Sequence, residues 1–514
     1  MARISTQFAR TANSRPAGYS ALVERFDLDV IPNWHTSHVL LRGVHRRDSD
    51  GSTVTEDYPA TYWPGDGFGD QLEFALKYDG TNLGILAILF DTVAQSDVLA
   101  YVRSKPMGMY VRRTWYLYEF LTGRRLPLED LPPRGSYVDL LDRTDYYTTA
   151  PSRRVRRQRI NDNLLGDSRH CPTVRRTDEL RAHEAADLPR RCREVASRYP
   201  QGLLSRALGY LYVKETKSSF EIENVEIDSS RTERFVALLQ DAEQQDHCRR
   251  DALIDLQNRI VDPRFHDAGY RQSQNYVGQS AGLGREIVHF VGAKPGALDM
   301  LMAGLVDTHQ RMETGNVHPV VHAAAIAYAF VFLHPFEDGN GRIHRFLIHN
   351  ILARRRFTPA GMIVPVSAAM LHRPNEYDAS LEAFSRQLMP LVDYVLDDDG
   401  RLTVRNETTL WYRFIDLTAQ AEALFRFLET AIEVELAPEL EFLARYDKSK
   451  SATQEIVDMP DRKIDLFIRL CVQNHGRLSA SKRESQFAML SDAEVRAMEQ
   501  AVQDVWRDGS WPSS

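Results

Sequence analysis

The sequence predicts a mainly α-helical protein, and three observations carry that reading. Apolar residues recur at helical spacing from about Leu203 to Asp398. The longest apolar run, Ala323 to Leu333, is too short for a bilayer, which takes about 20 residues, and reads as a helix buried in a core. The one break in this pattern, 270–292, holds two β-rich runs around a Gly/Ser stretch (Gly278, Ser280, Gly282, Gly284) and predicts a hairpin over 274–291.

At about 150 residues per domain, 514 residues suggest roughly three domains. Residues 1–200 read as a mixed accessory domain. It opens with an aromatic, turn-rich stretch, Tyr58 to Gly65. A helical pattern from Leu72 to Phe90 follows, broken at Asp79-Gly80, and then a helix through Trp115 and Leu121 that Gly123 ends. Arg153, Arg154, Arg156, Arg157 and Arg159, with Arg175 and Arg176, form a basic segment that reads as a solvated face pairing with the chain's acids. Residues 201–398 form the helical core, entered through a helix from Leu203 to Ser219. Asp397-Asp398-Asp399-Gly400 marks a boundary. Residues 399–514 form a C-terminal helical domain, with an amphipathic helix over 407–435 (Leu410, Phe414, Leu417, Ala421, Leu424, Leu428) and a last unit from Asp461 to Trp506.

Composition excludes several classes. The net charge of −7 argues against a whole-protein electrostatic nucleic-acid binder. Cys171, Cys192, Cys248 and Cys471 are scattered, with no C-x-x-C pair and no zinc spacing, so neither a disulfide framework nor a structural zinc site is expected. The first 32 residues carry no continuous apolar stretch of export-signal length, which with the reduced cysteines predicts a cytoplasmic protein without a membrane partner. No G-x-x-x-x-G-K-[S/T] run exists, so a P-loop NTPase is excluded.

The chemistry concentrates in His334-Pro335-Phe336-Glu337-Asp338-Gly339-Asn340-Gly341-Arg342-Ile343-His344-Arg345, a loop between two helical patterns. Unpaired N–H groups and the dipole at the second helix's start make an anion site, and glycine lets a phosphate approach the backbone. Arg342 and Arg345 lie three apart, so both can grip one anion with guanidinium forks. Asp338 is a hard oxygen ligand suited to Mg²⁺, and Asn340 can donate to a phosphoryl oxygen. His334 has the unperturbed pKa suited to taking a proton near neutrality. Together they describe a phosphoryl or nucleotidyl transfer site. His344 and His349 read as surface or packing residues, and His318 with His322 as a pair without metal function.

This stretch resembles the signature of the Fic (filamentation-induced-by-cAMP) family, H-x-F-x-[D/E]-G-N-G-R-x-x-R, at all its constrained positions. The resemblance implies a Fic fold, a helical core with a β-hairpin flap, and transfer of AMP from ATP to a hydroxyl side chain of a target protein. His334 would deprotonate that hydroxyl, Asp338 would hold Mg²⁺ (or Mn²⁺), and Gly339, Asn340 and Gly341 would cradle the anion. Arg342 would meet the β-phosphate and Arg345 the γ-phosphate, while Phe336 anchors the loop.

Upstream, Ser219-Phe220-Glu221-Ile222-Glu223-Asn224 resembles the family's inhibitory motif, [S/T]-x-x-x-E-[G/N]. This implies that Glu223 occupies Arg345 with a bidentate pair and keeps out the γ-phosphate. The hairpin fits the family's flap, with Ile287, Val288 and His289 as clamps on an extended target segment. Two alternatives stand beside this reading. The same fold can remove AMP or transfer another phosphate-containing group. In a second, the site is a nucleotide sensor in a regulatory or DNA-binding protein, with 153–159 and a helix-turn-helix outline over 461–506 as support. Nucleic acid is not the expected partner; a target protein, self-modification and a homo-oligomer stay open.

Overall fold

A computed structural model describes residues 13–51, 53–226, 228–280 and 286–507. The N-terminal unit begins with a four-stranded sheet in the order Ser14–Ala17, His35–Leu40, Val54–Tyr58, Arg46–Ser49. Its central pair is parallel and both outer pairs are antiparallel. Helices Phe68–Phe74, Leu83–Thr92 and Met109–Thr122 pack beside it around Leu72, Leu86, Phe90 and Trp115. The predicted break at Asp79-Gly80 is real: Gly80 sits at φ +85°, and buried Asp79 accepts hydrogen bonds from Tyr19 N and His35 Nδ1.

The central unit is organised by one helix, Pro319–Leu333, whose residues from Val320 onward are all buried. Such a helix is apolar on every side, so it must be covered on every side. The helices Pro295–Thr314, Asn340–Arg354 and Thr418–Thr430 provide the cover. This requirement draws residues from both sides of 200 and 398 into the central core. One continuous apolar cluster runs from Tyr147, Leu165, Val174 and Leu188 through the central helices to Leu424, Leu428 and Leu440. The packing therefore has no seam at 200 or at 398.

The helix expected over 407–435 starts later. A short turn, Thr409–Arg413, is followed by non-helical backbone at 414–417, where Thr173 N donates to Ile415 O and Leu417 N donates to Thr173 O. The helix proper begins at Thr418, whose N–H donates to Asp416 Oδ1, and continues through a wider turn at 431–436 into Ala437–Gln454. Helical spacing of Leu410, Phe414 and Leu417 concealed this, because the first two pack on the N-terminal core and Leu417 on the central one. The Asp397-Gly400 stretch is the turn of a small hairpin, Tyr394–Leu396 with Leu402–Val404, rather than a linker. The last three helices, Asp461–Gln473, Ala480–Gln486 and Asp492–Val505, have their own core of Phe467, Phe487, Met498 and Trp506.

In the basic segment, Arg157 pairs with Glu119 at 3.0 Å and Asp130 at 2.8 Å, Arg175 with Asp416 and Arg176 with Glu184, while Arg153, Arg154 and Arg156 are exposed. All four cysteines are free and buried. Among the described residues no single helix is long and apolar enough to cross a membrane. The hairpin forms from Tyr276–Ser280 and Glu286–Val291, antiparallel, with a bulge between Val277 and Gly278. Gly282 and Gly284 lie outside the described residues.

Candidate active site

The central helix ends at Leu333, and His334 caps it in the left-handed region at φ 53°. The loop 334–339 then leads to Gly339, also left-handed at φ 89°, and into the helix Asn340–Arg354. A side chain at Gly339 would meet Val261 Cγ1 at 2.8 Å as well as the strained backbone, so glycine is required there twice over.

Asn340 ties the loop together. Its Oδ1 accepts from Phe336 N at 3.0 Å and its Nδ2 donates to Phe336 O at 2.8 Å, within a buried setting. One N–H of the side-chain amide is thus committed to the loop, and what Asn340 can offer an anion here is its second amide N–H and its backbone N–H in the first turn of the helix. Phe336 is fully buried against Tyr270 and Phe330, as an anchor should be.

His334 Nδ1 lies 3.0 Å from Val331 O. A carbonyl only accepts, so Nδ1 carries the hydrogen and Nε2 keeps its lone pair. Burial, helped by the Arg271 guanidinium, pushes the imidazole down to about 4 against the opposing pull of the Val331 hydrogen bond, Glu223 and Asp338. The ring is therefore neutral at pH 7. We expect ring signals of His334, followed by NMR with His334→Ala for assignment, to titrate near 4 rather than near the usual value of about 6.5. The unfolded chain takes up this proton near 6.5, so the fold loses stability on acidification from about 6.5 down to 4. A midpoint at or above 6.5 would contradict the burial account.

Arg342 and Arg345 are both buried on the first turns of the helix. Sequence resemblance implies a bidentate pair between Glu223 and Arg345; the structure has a bridge instead. Glu223 Oε1 accepts from Arg345 Nη2 at 2.7 Å and Oε2 accepts from Arg342 Nε at 2.9 Å, so one carboxylate holds both guanidinia. Ser219 adds to this grip, its Oγ accepting from Arg345 Nε at 2.9 Å and its carbonyl from Nη2 at 2.6 Å. Burial alone would lower Arg345, but Glu223 and Tyr377 hold it above its ordinary value. A Cβ on Gly341 would fall 2.4 Å from Glu223 Oε1, so the carboxylate lies directly against the glycine backbone.

The position of Glu223 follows from how its helix ends. The helix Gln201–Glu221 terminates in a left-handed Asn224 at φ 54°, with Asn224 N bonded to Glu221 O and Val225 N to Phe220 O. This is the Schellman arrangement, which demands glycine or asparagine at that position. Glu223 and Asn224 are thus a side chain and the cap that aims it.

Asp338 is about half exposed. Its Oδ1 accepts from Gly339 N and Arg342 Nη2, each at 2.6 Å, and its Oδ2 takes no hydrogen bond among the described residues. No group of three or more His, Cys, Asp or Glu that could hold a metal exists among those residues. Mg²⁺ in nucleotide sites needs only one or two carboxylates beside the substrate phosphates, and one half-free carboxylate meets that need.

Several contributors have no signal in the local sequence. Buried Arg271 donates through Nε to His334 O at 2.7 Å and through its backbone N to Pro335 O at 2.9 Å; burial pushes it down to about 10 against the opposing pull of Glu337 and Tyr412. Asn275 Nδ2 donates to Phe336 O at 3.1 Å. Together they join the hairpin base to the loop. Gly292 completes the seam, since a Cβ there would be 3.1 Å from His334 Cβ. Phe220 lies under Arg342 at 5.2 Å. On the hairpin, Ile287 and His289 are exposed and Val288 half-buried, so Ile287 and His289 are available to a partner strand. His344 and His349 are both buried packing residues, not surface ones. His318 caps the central helix through Val320 N, and His322 bonds His309.

A loop of this shape, with a capping imidazole, two glycines and two arginines on one helix start, defines an anion-handling helical domain. Residues 247–352 match the Fic/DOC family model, and the chain carries a Fic domain. Over 148 residues it is 30% identical to the Protein adenylyltransferase Fic of Aedes aegypti and to that of Culex quinquefasciatus. In each case this is 28% of this chain and 26% of the relative, so the chain spans about a quarter of the length of the curated relatives it matches. Among solved structures it is similar to a Fic family protein from Desulfovibrio desulfuricans G20, at 19% identity and TM-score 0.37, covering 65% of this chain and 87% of that one. It is also similar to a Fic domain containing signaling protein from Bacteroides thetaiotaomicron VPI-5482, at 18% identity and TM-score 0.31, covering 48% and 96%. The family match begins at His247, beyond Glu223, so the place of Glu223 rests on its geometry.

Proposed function

We propose that the protein is an adenylyltransferase that moves AMP from ATP to a hydroxyl of a protein and that Glu223 restrains it. The observation that carries this reading is a neutral imidazole with a free Nε2 on a glycine-lined loop whose next helix begins with two buried guanidinia. The names of the relatives point the same way.

In the reaction, His334 Nε2 takes the proton of the incoming hydroxyl. The hydroxyl oxygen bonds to the α-phosphorus and the α–β anhydride bond breaks, so pyrophosphate leaves and a phosphodiester to AMP remains. Backbone N–H groups of the first helical turn and the guanidinia of Arg342 and Arg345 hold the phosphates. Asp338 would hold Mg²⁺, which when bound neutralises phosphate charge. Ile287 and His289 on the exposed hairpin offer a strand for the target segment. A cytoplasmic location agrees with the free cysteines.

Restraint follows from competition. With Glu223 bridging Arg342 and Arg345, the terminal phosphates lose both partners, and ATP seats with its α-phosphorus out of line. The test is to incubate the Glu223→Gly variant with ATP labelled in the α-phosphate, Mg²⁺ and cell lysate. Bands that vanish with His334→Ala are the expected result. Label arriving only from γ-labelled ATP, or none at all, would overturn the reading.

A further inference from the structure

The helix Gln201–Glu221 is bound to the motif helix by more than Glu223. Residues 215, 219 and 223 stand four apart on one helical face. Their partners run the other way along the motif helix: Glu215 meets His349, Ser219 meets Arg345, and Glu223 meets Arg345 and Arg342. The two helices are closed like a zip, and the rung farthest from the cleft is buried far more deeply than the Glu223 rung at the cleft.

Glu215 is only 1% exposed, whereas the Glu223 side chain is 24% exposed. Its Oε1 accepts from His349 Nε2 at 2.6 Å and from the Ser367 hydroxyl, and its Oε2 accepts from Ser367 N at 2.9 Å. Its helix otherwise buries Leu203, Ala207, Leu211, Tyr212 and Phe220 toward the core. A carboxylate among these is costly unless every lone pair is satisfied, and here the partners come from two other helices. An apolar residue would pack at this position without specifying any register. A carboxylate that finds its partners in only one place does specify it.

We infer that Glu215, with His349 and Ser367, is a positioning anchor that sets the register of this helix and thereby places the Glu223 carboxylate between the two arginines. The inference rests on the reading of Glu223 as a restraint. A slip of one turn, about 5.4 Å, would carry Glu223 off the arginines, but it would also strand Glu215 in the core. Glu223 therefore stays in place because a residue eight positions earlier cannot leave.

The test uses the full chain and reads self-labelling from α-labelled ATP, with melting temperature alongside. Glu215→Gln keeps the shape and removes the charge. It is expected to raise labelling about ten-fold, as fits the loss of one charged hydrogen bond. In the Glu223→Gly background the same change is expected to alter labelling less than about two-fold, because the anchor acts only through Glu223. Ser367→Ala, a milder change that keeps the fold, is expected to raise labelling in the same direction. Glu223→Gly activating while Glu215→Gln and Ser367→Ala leave labelling at the wild-type level would overturn the anchor and spare the restraint. So would equal losses in both backgrounds, the mark of a merely structural role. Glu223→Gly without effect would overturn both.

Discussion

Replacing His334 with alanine lowers AMP transfer by about 10²- to 10⁴-fold, the range that a positioned acid–base group supplies. The expectation comes from atoms the substitution removes and atoms it keeps. The ring is lost, with its Nδ1–H bond to Val331 O and its free Nε2. The backbone stays: His334 O still accepts from Arg271 Nε, and His334 N still donates to Phe330 O. Both histidine and alanine carry the cost of the left-handed cap, about 1–2 kcal/mol, so that cost cancels in the comparison. The variant should therefore melt close to the parent while losing activity. The measurement is the initial rate of α-label incorporation in the Glu223→Gly background, with a melting curve beside it. A rate within three-fold of the parent would remove His334 from the proton transfer.

Glu223→Gly has the opposite sign. Misplacement of about 1 Å in a reacting group can cost about 100-fold, and freeing Arg342 and Arg345 to seat the phosphates should recover a factor of that size. The change has a second consequence. Two buried guanidinia lose the carboxylate they share, which destabilises the empty protein and strengthens its hold on anions. The variant should melt below the parent without nucleotide and gain more than the parent when ATP is added. An unchanged labelling rate together with an unchanged response to ATP would show that the bridge restrains nothing.

Much of the site was legible because its chemistry is contiguous. Twelve residues, His334 to Arg345, hold the imidazole, the glycines, the carboxylate and both guanidinia, and a loop feeding a helix is readable from local spacing. The hairpin was legible for the same reason, since its strands are close in sequence. Asn340 was read by residue type, as a donor. Its actual bonds, both to Phe336 four residues back, required knowing how the loop folds over. Arg271 and Asn275 carry no local signal, because their partners in the loop are 59 to 64 residues away in the chain. The continuity of the central core past 200 and 398 was not legible because turns and charge runs mark where chain direction changes, whereas packing around the buried helix Pro319–Leu333 ignores them.

The sequence by itself determined a helical protein, a glycine-lined loop between two helices that carries a histidine and two arginines, and a carboxylate next to a helix-ending asparagine. Each of these is a property of neighbouring residues, set by side-chain chemistry and backbone preference. Only the tertiary structure decided that Glu223 bridges two arginines, 119 and 122 residues distant, and that Glu215 meets His349 across 134. Such pairings depend on which helix faces lie against each other. That is settled by burying apolar surface throughout the chain, and no local pattern records it.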